Sequence, residues 1–274
     1  MFLVDKPAGY SSFFMVRRLR RLLGIKKVGH AGTLDPFATG LLIICVGRAA
    51  TRCIEQFMVG HKSYQARLQL GVETSTQDPE GEVIATSEVP ELSAAMIEAC
   101  LAQHRGPQMQ APPPFSAAKH QGKPLYAYAR QGVMIEKAAK PIDILSLQSF
   151  GYNTLTHQLD IEVQCSRGTY VRVLAAAIGQ SLGCGAHLVA LRRTGSGGLR
   201  VDDAISGEQL LGEQGRDLLI NARLSVEEML LRHGRAADCA CHPLQPSSIE
   251  EQTVPLHRPS DAGSGTPHPD SSKG

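Results

Sequence analysis

The chain has 274 residues, 42% hydrophobic and 20% charged, ordinary for a soluble globular protein with one large core or two small ones. Three basic against five acidic residues put 233–274 at −2, which leaves +4 on residues 1–232 of a chain with net charge +2. Seven cysteines, an odd number with no CxxC pair, argue against a disulfide framework or a structural zinc site, and no apolar run reaches the roughly 18 residues of a membrane span.

The first element is the short strand Met1–Asp5, ended by the turn Lys6-Pro7-Ala8-Gly9. Ser11 and Ser12 are N-cap candidates for a helix over Ser12–Leu23, whose apolar face is Val16, Leu19, Leu22 and Leu23. Arg17, Arg18, Arg20, Arg21, Lys26 and Lys27 form a basic patch there, either a phosphate-binding face or a solvated one. After the loop Val28–Gly40 comes "LLIICVG", read as a buried strand. Lys62–Val72 alternates as a strand, Asp78–Gly81 is a turn and Glu82–Ala85 a short strand.

Leu92–His104 reads as a helix, and four prolines between Pro107 and Phe115 predict irregular chain. Pro124–Gln131 reads as a helix, Lys140–Phe150 and Gln158–Cys165 as strands, and Thr169–Leu182 as a helix broken at Gly183–Gly185. A strand at Leu188–Thr194 and helices at Ser206–Leu211 and Ser225–Arg232 complete the pattern. Residues 233–274 hold six prolines and no Phe, Tyr or Trp, so a disordered tail is expected. Cys239-Ala-Cys241-His242 lacks the second half of a metal site, and no metal is expected. The mixture of strands and helices, without regular alternation, predicts an α+β fold with a mixed, mostly antiparallel sheet. GxGxxG and P-loop patterns are absent from the sequence, so nucleotide-cofactor readings have no support. No signal-peptide pattern opens the chain, and a reduced, cytoplasmic protein is expected.

Three stretches carry chemistry. In "VGHAGTLDPFATG", Gly29 and Gly32 permit close approach or positive φ, Thr33 can bond its own backbone, and Pro36 restricts Asp35 to extended geometry. Such an acid is a candidate nucleophile or base, or else an Asx turn that organises its own loop. In "CSRGTYVRVLAAAIG", Arg172 falls in the first turn of a helix and suits a buried carboxylate, or is a surface arginine. In "KSYQARLQLG", Tyr64 can stack on an extruded base, or is a packed structural tyrosine.

With these stretches, "DKPAGYSS", "GHAGTLDPFATGLL", "PPPFSAAKHQGKPLYAYAR" and "GAHLVALRRTGSG" follow one another over residues 5–197. In sequence and order they resemble the TruB family of pseudouridine synthases. The resemblance implies a pseudouridine-synthase-like sheet flanked by helices, and isomerisation of the T-loop uridine of tRNA, position 55, without metal or organic cofactor. Asp35 matches the catalytic aspartate, acting on the sugar either as nucleophile or as base. Tyr64 matches the tyrosine that stacks on the target base, Arg172 the arginine paired with the aspartate, His30 the histidine that holds the RNA loop, and Leu191 an apolar pocket residue. Lys6 and Pro7 match a stretch that supports the catalytic loop. Residues from about Arg105 to Val133 match a mobile insert that closes over RNA, with Lys119 and Arg130 as phosphate candidates. Lys6, Arg192 and Arg193 join the Arg17–Lys27 patch as RNA-contacting candidates.

The partner implied is the T-arm of tRNA, bound by a monomer with no membrane involvement. Residues 1–232 would form the catalytic domain. The segment beyond is too polar and proline-rich for the small carboxy-terminal RNA-binding domain that many family members carry. A non-catalytic tRNA-folding factor is one alternative, opposed by the presence of Asp35, Arg172 and Tyr64. A guide-dependent synthase is another, opposed by the absence of the extra domain and docking surfaces.

Overall fold

A ten-stranded sheet organises residues 1–234, the part of the chain that the computed structural model describes. The chain enters through β1 (Phe2–Lys6) and α1 (Ser12–Leu23), then β2 (Val28–Ala31) and β3 (Thr39–Val46). Two short helices, α2 (Gly47–Arg52) and α3 (Ile54–Met58), lead to β4 (Lys62–Leu70). A small hairpin of β5 (Val72–Thr74) and β6 (Val83–Thr86) precedes α4 (Ala94–Gln103) and β7 (Gly106–Gln110). Another, β8 (Lys119–His120) with β9 (Lys123–Pro124), precedes α5 (Leu125–Ala129). The long pair β10 (Lys140–Asn153) and β11 (Gln158–Cys165) is followed by α6 (Val171–Ser181) and β12 (Ala186–Ser196). Then come β13 (Leu199–Arg200), a 3-10 turn, β14 (Ile205–Ser206), a second 3-10 turn at Gln209–Leu211, α7 (Gly215–Asn221) and α8 (Val226–Gly234).

The sheet runs β14-β1-β3-β12-β4-β11-β10-β7, with β2 on β3 and β13 on β12. β1–β14 and β3–β12 pair in parallel and the other neighbours antiparallel, so the fold is α+β with a mixed, mostly antiparallel sheet, as expected. The run "LLIIC" is apolar on both faces because both are covered. Leu41, Ile43 and Cys45 pack with Phe57 and Met229, while Leu42 and Ile44 pack with Met15, Val16 and Leu19 of α1. A third core lies under α4 and α6, where Leu101, Leu174 and Ile178 meet Leu68, Ile161 and Leu188. Cys45, Cys100, Cys165 and Cys184 are free and buried, and burial pushes the Cys45 thiol up to about 12.

The expected bounds of α1 hold, with the Ser11 hydroxyl accepting from the Phe14 amide at 3.1 Å as N-cap. Several other expectations need correction. Pro107 lies in regular structure, because β7 is an edge strand bonded to β10 alone, where an absent N–H can face away from the ladder. The segment Ser206–Leu211 is no α-helix: Ile205–Ser206 pairs with β1, and only a 3-10 turn follows. The segments β2, α2, α3 and α7 were not expected; each is short and borrows its stability from tertiary packing. His233, placed in the tail by composition, belongs to α8: its ring packs edge-on against Phe57 and its carbonyl accepts from Gly198. The rest of the expected tail, with Cys239, Cys241 and His242, lies outside the described residues. Among the described residues no helix is long and apolar enough to cross a membrane.

Candidate active site

Asp35 sits in the connection from β2 to β3, and the residues on either side of it are pinned. The Ser12 hydroxyl donates to the Leu34 carbonyl at 3.0 Å and accepts from the Leu34 amide at 2.9 Å. The Pro36 carbonyl accepts from the Gly9 amide at 2.9 Å and from the Lys6 ammonium at 3.1 Å. Lys6 also donates to the carbonyls of Pro7 and Tyr10, and its burial pulls its pKa down to about 8. The last residue of β1 and the first of α1 thus clamp the acid's loop, with one ammonium and one side-chain hydroxyl.

Arg172 enters from the first turn of α6. Its Nε lies 3.0 Å from Asp35 Oδ2 and its Nη1 3.1 Å from Asp78 Oδ2. Nη1 also donates to the Thr76 carbonyl and Nη2 to the Phe115 carbonyl. The Arg172 side chain is 3% exposed and that of Asp78 4%, whereas Asp35 keeps 35%, so one carboxylate of the pair faces outward. Burial raises the Asp35 pKa, Arg172 opposes that rise and Asp78 adds to it. Asp78 was read as turn chemistry only. Its Oδ1 accepts from the Thr76 hydroxyl and from the Glu80 amide at 3.0 Å, so it does build the turn while its other oxygen holds the arginine. Glu80 is pushed up by burial and by the two aspartates beside it. At the foot of the helix, Gln110 of β7 grips both backbone groups of Tyr170, at 2.7 and 3.2 Å.

β4 and β12 supply the remaining wall. Their register sets Tyr64 opposite Arg193 and Ala66 opposite Leu191, which puts Tyr64, Leu191 and Arg193 on one face of the sheet. Leu191 is buried in the same cluster as Leu34 and Ala38 from the Asp35 loop. Burial raises the Tyr64 pKa and the Arg193 guanidinium opposes it. Arg193 is 2% exposed and donates to the carbonyls of Leu41 at 2.7 Å and Gly32 at 3.2 Å. Gly40, at φ +100°, admits this strand: a Cβ there would lie 2.3 Å from the Arg193 carbonyl oxygen. His30 is half-buried on β2; its Nδ1 is buried without a partner, and desolvation lowers its pKa.

Asp35, Arg172, Tyr64, Leu191 and Arg193 therefore belong to one constellation, with His30 at its side. The RNA-contacting set divides differently. Lys6 and Arg193 are withdrawn from that set, since each is buried and spends its donors on backbone carbonyls. Arg192, one residue before Arg193, points to the opposite face and pairs bidentately with Asp5 at 2.7 and 3.0 Å. Arg18 donates to the carbonyls of Leu210, Leu211 and Gly212, capping a turn instead of facing solvent. Arg20 donates to the Val28 carbonyl at 2.7 Å and is half-buried. Arg17, Arg21, Lys26, Lys27, Lys119 and Arg130 are exposed and keep the role open to them.

The fold that carries this site has counterparts among solved structures. A chain of a Cbf5-Nop10-Gar1 complex superposes with a TM-score of 0.62 at 24% identity, over 85% of this chain and 61% of that one, so the two share a fold. The chain of an archaeal box H/ACA sRNP Nop10-Cbf5 complex gives a TM-score of 0.57 at 23% identity, covering 57% of its length. The class, which the family models over residues 20–230 show, is that of the pseudouridine synthases. Residues 20–171 match the N-terminal domain of the TruB family pseudouridylate synthases and residues 172–230 the tRNA pseudouridylate synthase B C-terminal domain; the chain belongs to the TruB family. A Desulfotalea psychrophila protein named tRNA pseudouridine synthase B is 53% identical over 232 residues, 84% of this chain and 94% of that relative. Relatives of the same name from Francisella philomiragia and Hydrogenovibrio crunogenus are 45% and 44% identical, over 83% and 85% of this chain and 74% of each relative.

Proposed function

We propose that this enzyme isomerises the T-loop uridine of tRNA, position 55, to pseudouridine, with Asp35 as its catalytic residue. The relatives' name supplies the RNA class. The observation that carries the residue assignment is the Arg172–Asp35 pair, in which the arginine is buried and the carboxylate half-exposed. A carboxylate paired with a buried arginine at a rigid point can act on a sugar, by adding to it or by removing a proton. The glycosidic bond from C1′ to N1 breaks, a bond from C1′ to C5 forms, the C5 proton leaves and N1 gains one. The product is an isomer, so the electrons balance without an oxidant and no cofactor is required.

A base inside folded RNA has to be extruded before an acid can reach its sugar. Tyr64 and Leu191 offer the extruded ring an aromatic face and an apolar wall, and stacking of that kind is worth about 1–3 kcal/mol. His30, half-buried on β2 at the side of this constellation, is the residue assigned to holding the RNA loop around the extruded nucleotide. Lys119 and Arg130, in the segment whose Phe115 carbonyl Arg172 holds, would contact phosphates as that segment covers a monomer-bound T-arm.

The test is incubation with an unmodified tRNA transcript and no added cofactor, followed by mapping of pseudouridine. Asp35→Asn should abolish the product and keep RNA affinity, because phosphate contacts dominate binding. Turnover by Asp35→Asn would overturn the residue assignment, and pseudouridine at a site other than 55 would overturn the substrate position. Tight binding with no product from the unaltered chain would favour a non-catalytic tRNA-folding role.

A further inference from the structure

A second concave site opens at the start of β2, at the end away from the Asp35 loop. It is a cleft of about 470 Å³ with Arg20 and Lys27 on one wall, Arg48 and Arg52 of α2 on the other, and Val28–Gly29 between them. The lining contains four cations and no acid. None of the four is in an ion pair among the described residues.

Arg48 and Arg52 stand four residues apart on a six-residue helix, both exposed, an i,i+4 pairing of like charges that destabilises a helix. Arg20 is fixed by its bond to the Val28 carbonyl and by the Phe13 ring, 5.5 Å from its guanidinium, and its Nε is buried with no partner. Four positive groups gathered in a hollow, one with an unspent donor, are arranged for an anion from outside the chain. Guanidinium forks match phosphate oxygens bidentately, and the cleft's volume suits a segment of backbone more than a lone small ion. Five residues lie between Gly29 and Asp35, so the cleft is within about 22 Å of the acid along the chain.

We propose that this cleft seats a phosphodiester of the RNA substrate, away from the nucleotide that reacts. The inference rests on the functional reading above for the identity of the RNA. It adds Arg48 and Arg52, which belong to no stretch singled out by sequence, and it makes one built site out of part of the Arg17–Lys27 patch.

The experiment compares the unaltered chain with Arg48→Ala/Arg52→Ala and with Arg216→Ala/Arg223→Ala. The second double variant removes the same charge from exposed positions outside the cleft. Affinity for a tRNA transcript is measured across a salt series, and pseudouridine formation in single turnovers at saturating enzyme. The cleft variant should bind about tenfold more weakly at 0.1 M salt. Its log–log salt slope should fall by about 1–2, as expected for one or two lost phosphate contacts. Its saturated rate should match the unaltered chain, and the control should change neither slope nor affinity. An unaltered slope in the cleft variant, an equal loss in the control, or a fallen saturated rate each overturns the proposal. If the unaltered chain makes no pseudouridine while the cleft variant still flattens the salt slope, the functional reading fails and the cleft stands.

Discussion

The guanidinium of Arg172 joins Asp35, 3.0 Å from its Nε, to Asp78, 3.1 Å from its Nη1, so that one buried cation serves two acids of unequal exposure. The two partners act on Asp35 in opposite senses, Arg172 lowering its pKa and Asp78 raising it. Removal of each should therefore move the enzyme's pH profile in opposite directions. If Asp35 acts as the carboxylate proposed above, the rate rises with pH through its pKa. Arg172→Lys, which keeps a charge but loses the fork, should weaken the pairing and move the acid limb up. Asp78→Asn should move it down. Arg172→Met strands two carboxylates and should cost about 3–5 kcal/mol of stability, read by urea unfolding. Rate–pH profiles that shift the same way in Arg172→Lys and Asp78→Asn would refute the opposed roles. Burial also makes folded Asp35 hold its proton above the usual 3.8. Its contribution to stability consequently declines as pH rises from 3.8 through the folded value.

Lys6 should matter to catalysis without touching RNA. Lys6→Met removes the donor to the Pro7, Tyr10 and Pro36 carbonyls while retaining most of the buried stem. Each orphaned acceptor costs about 1–3 kcal/mol if water does not reach it. We expect a lower unfolding midpoint and a saturated rate reduced about tenfold or more, with tRNA affinity and its salt slope unchanged. A reduced salt slope would return Lys6 to the phosphate-binding set.

Gly40→Ala tests the approach of β3 to β12. The added carbon would meet the Arg193 carbonyl oxygen at 2.3 Å, and the backbone there holds φ at +100°. Neither strand can yield without moving the Leu41 carbonyl that Arg193 holds. The variant should lose several kcal/mol or fail to accumulate as folded protein, whereas Gly24→Ala, at φ +68° with open space around it, should lose only about 1 kcal/mol. Equal stability of the two variants would contradict the packing at Gly40.

A chain ending at Gly234 should bind and modify tRNA within about twofold of the full chain, a difference of roughly 0.4 kcal/mol. The residues removed are polar, rich in proline and net acidic, unsuited to a phosphate partner. Ending at Arg232 is a different matter, since that deletes the His233 ring on Phe57 and its bond to Gly198. Tenfold weaker binding by the chain that ends at Gly234, still folded, would show that the remainder contacts RNA.

Local chemistry made much of this molecule legible in the sequence. Ser11 and the Val16–Leu19 spacing define α1, because capping and amphipathicity act within a few residues. The glycines and proline around Asp35 mark a constrained acid for the same reason. What stayed hidden depends on distant pairing. Asp78 lies in "DPEG", a sound turn sequence whose second task appears only when α6 brings Arg172 to it. Arg192 and Arg193 are adjacent in the chain, and only the register of β12 on β4 sends one to Asp5 and the other to the site. For Lys6 the sequence left two roles, supporting the catalytic loop or contacting RNA, and only the three carbonyls around its ammonium decide for the loop. Pro107 reads as a breaker unless its strand is known to be an edge.

The parallel pairing of β1 with β14 has a consequence for how the protein is made. β1 emerges from the ribosome before β14, and about two hundred residues separate the two strands. At synthesis rates of about 5–20 residues per second, that leaves one edge of β1 bare for about 10–40 seconds. β1 carries Asp5, whose partner Arg192 also arrives late, and it runs straight into the lysine that clamps the acid's loop. The nascent chain therefore covers the side chains of Phe2 and Val4 early, with Met15, Val16 and Leu19 of α1 and Leu42 and Ile44 of β3, while the far backbone edge of β1 waits for β14.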